Sequence, residues 1–132
     1  MLFPSTQVSV SINRSPEAVY AFTARPENLP MWASGLSKNV ITKKGDFWET
    51  DSPMGLVKIK YTPLNEFGVM DHDVILPNGE INHNPFRVMK NGKGSEVVFT
   101  VYQVPRLSEE EYKRDIQTVK TDLQKLKSIL EE

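Results

Sequence analysis

From Ser108 onward the chain carries one apolar stripe. Tyr112, Ile116, Val119, Leu123, Leu126 and Leu130 recur at spacings of four and three. That period places all six on one face of a single helix of about six turns. The opposite face is Lys, Asp, Gln and Glu. Ser108 with Glu111 three residues on is the pairing that caps a helix start. A helix that is apolar on one side must bury that side. A heptad-like stripe also suits a coiled coil, but this one is short and isolated, which favours packing on the chain's own sheet. Ile116, Val119, Leu123 and Leu126 are the positions predicted to be most buried.

The rest of the chain supplies that sheet. Val8, Val10 and Ile12 alternate with Gln7, Ser9, Ser11 and Asn13, the period of a half-buried strand. Further strand-like runs span Asn39–Lys43, Phe47–Asp51, Leu56–Leu64, Phe67–Leu76, Glu80–Lys90 and Ser95–Val104. The connections are tight: Lys44-Gly45-Asp46, Ser52-Pro53-Met54-Gly55, Pro77-Asn78-Gly79 and Asn91-Gly92-Lys93-Gly94. Short strands joined by such turns argue for an antiparallel meander. Pro85 inside one run marks an edge or a bulge, because proline has no N–H for a ladder.

Length and charge exclude several classes. The 132 residues make one domain, 1–132. A net charge of −1 with interspersed signs offers no basic face for nucleic acid. Without cysteine there is no disulfide framework, thiolate nucleophile or cysteine zinc site. A reducing, cytoplasmic location fits best. The start, MLFPSTQ, lacks the basic and apolar regions of a signal peptide. No apolar run approaches the ~20 residues of a membrane span. An assembly of two copies, a homodimer, stays open.

Two short helices are expected after the first strand. Ser15 can cap the first, Pro16 suits its first position and Glu17 faces the positive end of its dipole. Val19, Tyr20, Phe22 and Thr23 supply its buried side. Arg25-Pro26 breaks it, and the segment from Pro26 to Trp32 makes the second, with Gly35 as a stop. In order, Ser15-Pro16-Glu17, Val19, Tyr20, Phe22, Pro26-Glu27-Asn28-Leu29-Pro30 and Trp32 resemble the START/polyketide-cyclase-like (SRPBCC) superfamily. The element order extends the resemblance over essentially the whole chain. It implies an α+β helix-grip fold. In that fold a seven-stranded antiparallel sheet wraps around the long C-terminal helix, and a cavity lies between them. It says little about function, because the superfamily holds lipid carriers, hormone receptors, cyclases, hydrolytic enzymes, co-chaperones and quinone-binding proteins.

Strand parity suggests what lines such a cavity. Val57, Ile59 and Tyr61 face in, and the lysines between them stay solvated. On Phe67–Leu76, either Met70, His72 and Val74 face in, or Val69, Asp71, Asp73 and Ile75 do. The second choice buries two carboxylates at high cost, so the first is preferred. Val97, Phe99 and Val101 face in on the last strand, which leaves Val98 and Tyr102 awkwardly outside. Phe22, Trp32, Trp48, Met54 and Phe86 are the large residues expected near the wall or mouth, with Val119 and Leu123 closing the cavity from the helix.

His72 is the candidate for chemistry. Asp71-His72-Asp73 invites a metal reading, but neighbours on a strand point to opposite faces and cannot converge on one ion. His72 with His83 or Asn84 makes a poor zinc set, so no metal is expected. No nucleophile elbow, phosphate loop or dinucleotide fingerprint occurs, and no cofactor is expected. An inward His72, hydrogen-bonded to Tyr61, Asn82 or Asn84, would orient a ligand. The reading is therefore a binder of a small, mostly apolar molecule: a lipid, a polyketide or an aromatic-like compound. Two alternatives stand beside it. One is a cyclase, dehydratase or hydrolase using His72 as general base. The other is a protein-interaction module.

Overall fold

The computed structural model describes residues 1–36 and 40–132. Strand β1 (Ser5–Ile12) leads into helix α1 (Pro16–Thr23) and the short helix α2 (Leu29–Trp32). Strands β2 (Thr42–Lys44), β3 (Phe47–Ser52), β4 (Gly55–Tyr61), β5 (His72–Ile75), β6 (Ile81–Asn84), β7 (Phe86–Asn91) and β8 (Gly94–Tyr102) follow, then helix α3 (Glu109–Leu130). Both predicted helix starts form. Ser15 accepts from the Ala18 N–H, with Pro16 in the first turn. At α3 the Ser108 hydroxyl accepts from the Glu111 N–H at 3.1 Å, and the Glu111 carboxylate accepts from the Ser108 N–H at 3.0 Å. These bonds satisfy donors that a helix start otherwise leaves orphaned.

The strands do not form one seven-stranded sheet. Their ladders divide into a three-stranded sheet, β1-β8-β7, and a five-stranded one, β2-β3-β4-β5-β6, all antiparallel. The expected Glu80–Lys90 strand is two strands that meet at Pro85. The Thr100 N–H donates to Pro85 O at 2.9 Å, but Pro85 has no N–H to return, so the β7–β8 ladder ends at Phe86 opposite Phe99. The expected Phe67–Leu76 strand shrinks to His72–Ile75 for a related reason. Residues 68–70 do run beside β7. Met70 N–H donates to Phe86 O at 2.7 Å and Val88 N–H to Gly68 O at 3.0 Å, with Val69 bridged to Arg87. The return bond is missing because the Phe86 N–H donates instead to Asp71 Oδ1 at 2.8 Å. Val69 opposite Arg87 and His72 opposite Asn84 nonetheless share one register. The two sheets are thus continuous across an irregular joint at Asp71 and Pro85. Other strand ends shift as well, with the expected Ser95–Val104 strand ending at Tyr102. The expected Leu56–Leu64 strand stops at Tyr61, and the predicted start at Asn39 lies outside the described residues.

Helix α3 lies against the inner face and along β1. Tyr112 Oη bonds Thr6 Oγ1 at 2.7 Å near one end. Lys127 Nζ donates to Ser11 O at 2.6 Å, and the Asn13 N–H donates to Glu131 at 2.7 Å, near the other. Leu123, Leu126 and Leu130 are buried, whereas Ile116 and Val119, predicted among the most buried, are only half-buried. Val119 packs against the core but also lines a cavity, described below, which leaves part of it uncovered. Inward residues follow parity elsewhere. Val8, Val10 and Ile12 of β1, Val57 and Ile59 of β4, and Val97 and Val101 of β8 are buried.

Candidate functional site

Three inner-face rows meet where α3 crosses the sheets. Tyr61, His72 and Asn84 stand side by side on β4, β5 and β6. Trp48, Ile59, Val74 and Asn82 form the next row. Val8, Phe99 and Phe86 align on the smaller sheet. Directly opposed residues of an antiparallel pair share a face, so parity alone brings these side chains together. The intervening residues Lys60, Asp73 and His83 form a row on the outer face, where His83 Nδ1 lies 2.7 Å from Asp73 Oδ1. His72 and His83 therefore look to opposite sides. Among the described residues no group of three or more His, Cys, Asp or Glu could hold a metal ion.

A cavity of about 150 Å³ lies between these rows and α3. Its wall is Leu29, Trp32 and Ala33 from α2 and the residue after it, Ile59 and Tyr61 from β4, and His72 and Val74 from β5. Phe99 from β8 and Val119, Asp122 and Leu123 from α3 complete it. Larger concavities open on the surface, and two of them exceed the rest in size. One, of about 720 Å³, lies among Ser15, Glu17, Phe67, Lys90 and Lys93; the other, of about 780 Å³, lies among Arg25, Lys43, Trp48 and Leu64. Both are lined largely by exposed side chains. The small cavity is the one that combines buried apolar walls with a few polar groups, the usual make-up of a ligand site. Tyr61 lines both it and the larger groove beside Trp48.

Eight of the thirteen expected residues line the cavity: Trp32, Ile59, Tyr61, His72, Val74, Phe99, Val119 and Leu123. The other five sit elsewhere. Met70 and Phe86 are fully buried in packed core, where Phe86 contacts Trp32, His72 and Phe99 through ring centroids 5.8, 6.1 and 5.1 Å apart. Phe22 packs on the core from α1. Trp48 lines the surface groove. Met54 is exposed, because it sits in the β3–β4 turn, where its N–H is held by Ser52 Oγ at 3.1 Å. Sequence reasoning missed Leu29, Ala33 and Asp122. Leu29 and Ala33 flank Trp32, and a helical reading of that turn carries the signal for them. Asp122 sits beside Leu123 on a face read as solvated.

The polar groups of the wall are specific. The His72 ring stacks on Tyr61 with centroids 4.8 Å apart and lies edge-on to Phe99 at 6.0 Å. Its Nδ1 is 3.0 Å from Met70 O. A carbonyl can only accept, so the neutral ring carries its proton on Nδ1 and presents a lone pair at Nε2. Nε2 has a distant neighbour, Asn84 Nδ2 at 3.5 Å. Of the three alternatives expected, Tyr61, Asn82 or Asn84, Asn84 is therefore the partner; Asn82 Oδ1 accepts from Arg106 at 2.7 Å. Burial pushes the His72 pKa below its ordinary value, against the opposing pull of the Met70 bond and of the Asp71 and Asp73 charges. Burial likewise pushes the Tyr61 hydroxyl far up. Tyr61 Oη and Trp32 Nε1 are buried with no partner among the described residues. Asp122 accepts from the Ser34 N–H at 3.1 Å, and burial raises its pKa above the ordinary value, outweighing that bond.

No family model matches the chain, and no curated protein matches it in sequence. Solved structures do match. The Aha1 dimer from Colwellia psychrerythraea superposes with a TM-score of 0.74 at 18% identity, covering 97% of this chain and 96% of that one. Ara h 8.0201 gives 0.72 at 11% identity, covering 98% of each chain. DynU16, a protein of the dynemicin biosynthetic locus, gives 0.73 at 12% identity, covering 96% of this chain and 47% of that one. These likenesses are likenesses of fold. The chain has the helix-grip architecture, in the divided form described above, that its N-terminal segment resembles. No helix among the described residues is long and apolar enough to cross a membrane.

Proposed function

We propose that the protein binds a small, mostly apolar molecule in the cavity between the sheet and α3. One observation carries the reading: a cavity of about 150 Å³ with mostly apolar, largely buried walls and a neutral histidine among them. A protein cavity of roughly 150 Å³ holds benzene, so the expected ligand is ring-sized, at the aromatic end of the range rather than a lipid chain. The dynemicin locus that encodes DynU16 is a biosynthetic one, which is in keeping with a small-molecule role. The test is a benzene titration of ¹⁵N-labelled protein. Amide shifts should saturate near one equivalent at Leu29, Ala33, Val74 and Leu123, and Val119→Trp should abolish them. Shifts that survive Val119→Trp, or that cluster elsewhere, would place binding outside the cavity.

An enzymatic reading is favoured by Asp122, a second titratable group on the wall that also holds His72. In that reading His72 takes a proton and Asp122, whose protonated form burial favours, returns one, as cyclase or dehydratase chemistry requires. Asp122→Asn keeps an acceptor for the Ser34 N–H. It should therefore preserve benzene binding while abolishing turnover of any substrate found.

A further inference from the structure

We propose that the face between the start of α1 and the β7–β8 turn docks a second copy of this chain, in a two-fold contact that seats Phe67 of each copy in the hollow of the other. The hollow is the concavity of about 720 Å³, walled by Glu17 and Tyr20 on one side and by Met89, Lys90 and Lys93 on the other. Gly68 and Gly92 line it without side chains, which leaves room for a ring. Phe67 lines the same concavity and is 81% exposed, and Met89 is 48% exposed. The loop that carries Phe67 is clamped. Asn65 Oδ1 accepts from the N–H groups of Phe67 and Val69 at 2.9 and 3.1 Å, and Asn65 Nδ2 donates to Pro63 O and Val69 O. The Asn65 N–H donates to Tyr20 Oη at 2.9 Å. An exposed aromatic ring held in this way loses little freedom on docking, which suits it to anchor an interface.

The charges name the occupant. Glu17, Glu66, Lys90 and Lys93 line the concavity, all exposed and none in a salt bridge among the described residues. The acids stand on α1 and on the loop that holds Phe67, the bases on β7 and the turn after it. A polyanion such as nucleic acid would meet two like charges here, and a cationic peptide would too. A second copy, turned about a two-fold axis between the two sides, lays acids over bases twice. Such a contact uses one patch on both copies, so it closes at a dimer.

Sedimentation velocity of the full chain, from micromolar to millimolar concentration, should show a monomer–dimer equilibrium. Added salt should weaken it, because exposed charges are screened. Phe67→Asp should raise the dimer dissociation constant about tenfold or more, while its ¹⁵N spectrum remains that of the folded chain. Two charge variants give a readout that leaves Phe67 in place. Glu17→Lys with Glu66→Lys makes the face wholly basic, and Lys90→Glu with Lys93→Glu makes it wholly acidic. Each should be monomeric alone, and an equimolar mixture should form the heterodimer. A chain that stays monomeric at millimolar concentration overturns the proposal, as does a dimer that persists in Phe67→Asp. Charge variants that dimerise alone or fail to pair when mixed overturn it too, and so does assembly beyond the dimer.

Discussion

At Asp71 one side chain redirects the bonds of its neighbours. In a regular antiparallel pair the Phe86 N–H would donate to Met70 O. Asp71 takes that N–H instead and also receives Arg87 Nη2 at 2.9 Å. The released Met70 carbonyl is then free for His72 Nδ1. An outer-face carboxylate thereby leaves the His72 ring as the side-chain partner of the Met70 carbonyl. The buried neutral imidazole has a consequence for pH. Its folded pKa lies below the ordinary 6.5, chiefly through burial. Below that value the unfolded chain binds the proton and the folded one does not, so this group's stabilising contribution falls as pH drops from about 6.5. Urea midpoints measured downward from pH 7 should decline, and the decline should be smaller in His72→Gln. A His72 ring that titrates at the ordinary imidazole value would contradict its burial. Tyr61→Phe bears on the same wall. Deleting a buried hydroxyl that has no partner should leave stability unchanged or raise it by about 1 kcal/mol, read from a denaturation midpoint.

The elements inherit their stability unevenly. On α3, Leu126 is fully buried and Ile116 only half-buried. Leu126→Ala should cost about 2–5 kcal/mol through transfer and cavity terms, and Ile116→Ala clearly less. Equal losses in urea unfolding would mean that the helix packs along its whole length. The segment leading into β5 depends on Gly68. Its φ of +70° is one that side chains rarely adopt, and a Cβ there would meet the carbonyl oxygen of Val88. Gly68 O also accepts from the Val88 N–H at 3.0 Å. Gly68→Ala should therefore destabilise by about 1 kcal/mol or more, with amide exchange accelerating first at Val88.

For the whole molecule the decisive place is the joint between the two sheets. Few backbone bonds cross it, and Asp71 links residues 70–72 to Phe86 and Arg87. Burial works against the Asp71 charge. The Arg87 hydrogen bond, the Phe86 N–H and the Arg87 charge outweigh it, so the pKa lies below the ordinary carboxylate value. Asp71→Ala should lower the melting temperature. It should also return the Phe86 N–H to Met70 O and shift the His72 Nδ1 resonance. A lowered melting temperature with an unmoved His72 would show that the joint and the cavity are independent.

Period and parity, read in the chain alone, determined the helix ends, the antiparallel meander and the inward set Ile59, Tyr61, His72 and Val74. These follow from local geometry: a capping pair three residues apart, alternation on a strand, tight turns. The helix-grip order was legible for the same reason. That His72 and His83 lie on opposite faces was not among these, for it follows from the pairing of Asp73 with His83. Tertiary structure decided the rest. Pro85 was legible as an interruption, but that it divides the sheet depends on β8 lying beside it and asking for a bond it cannot return. Trp48 shares the inner row with Ile59 yet lies in a surface groove, because row membership fixes a face and not a depth. Asp122 reads as a solvated helix residue until α2 and Ser34 close over it. Whether a polar atom finds a partner is settled by elements far apart in the chain, and so the unpaired Tyr61 and Trp32 could not be seen without them.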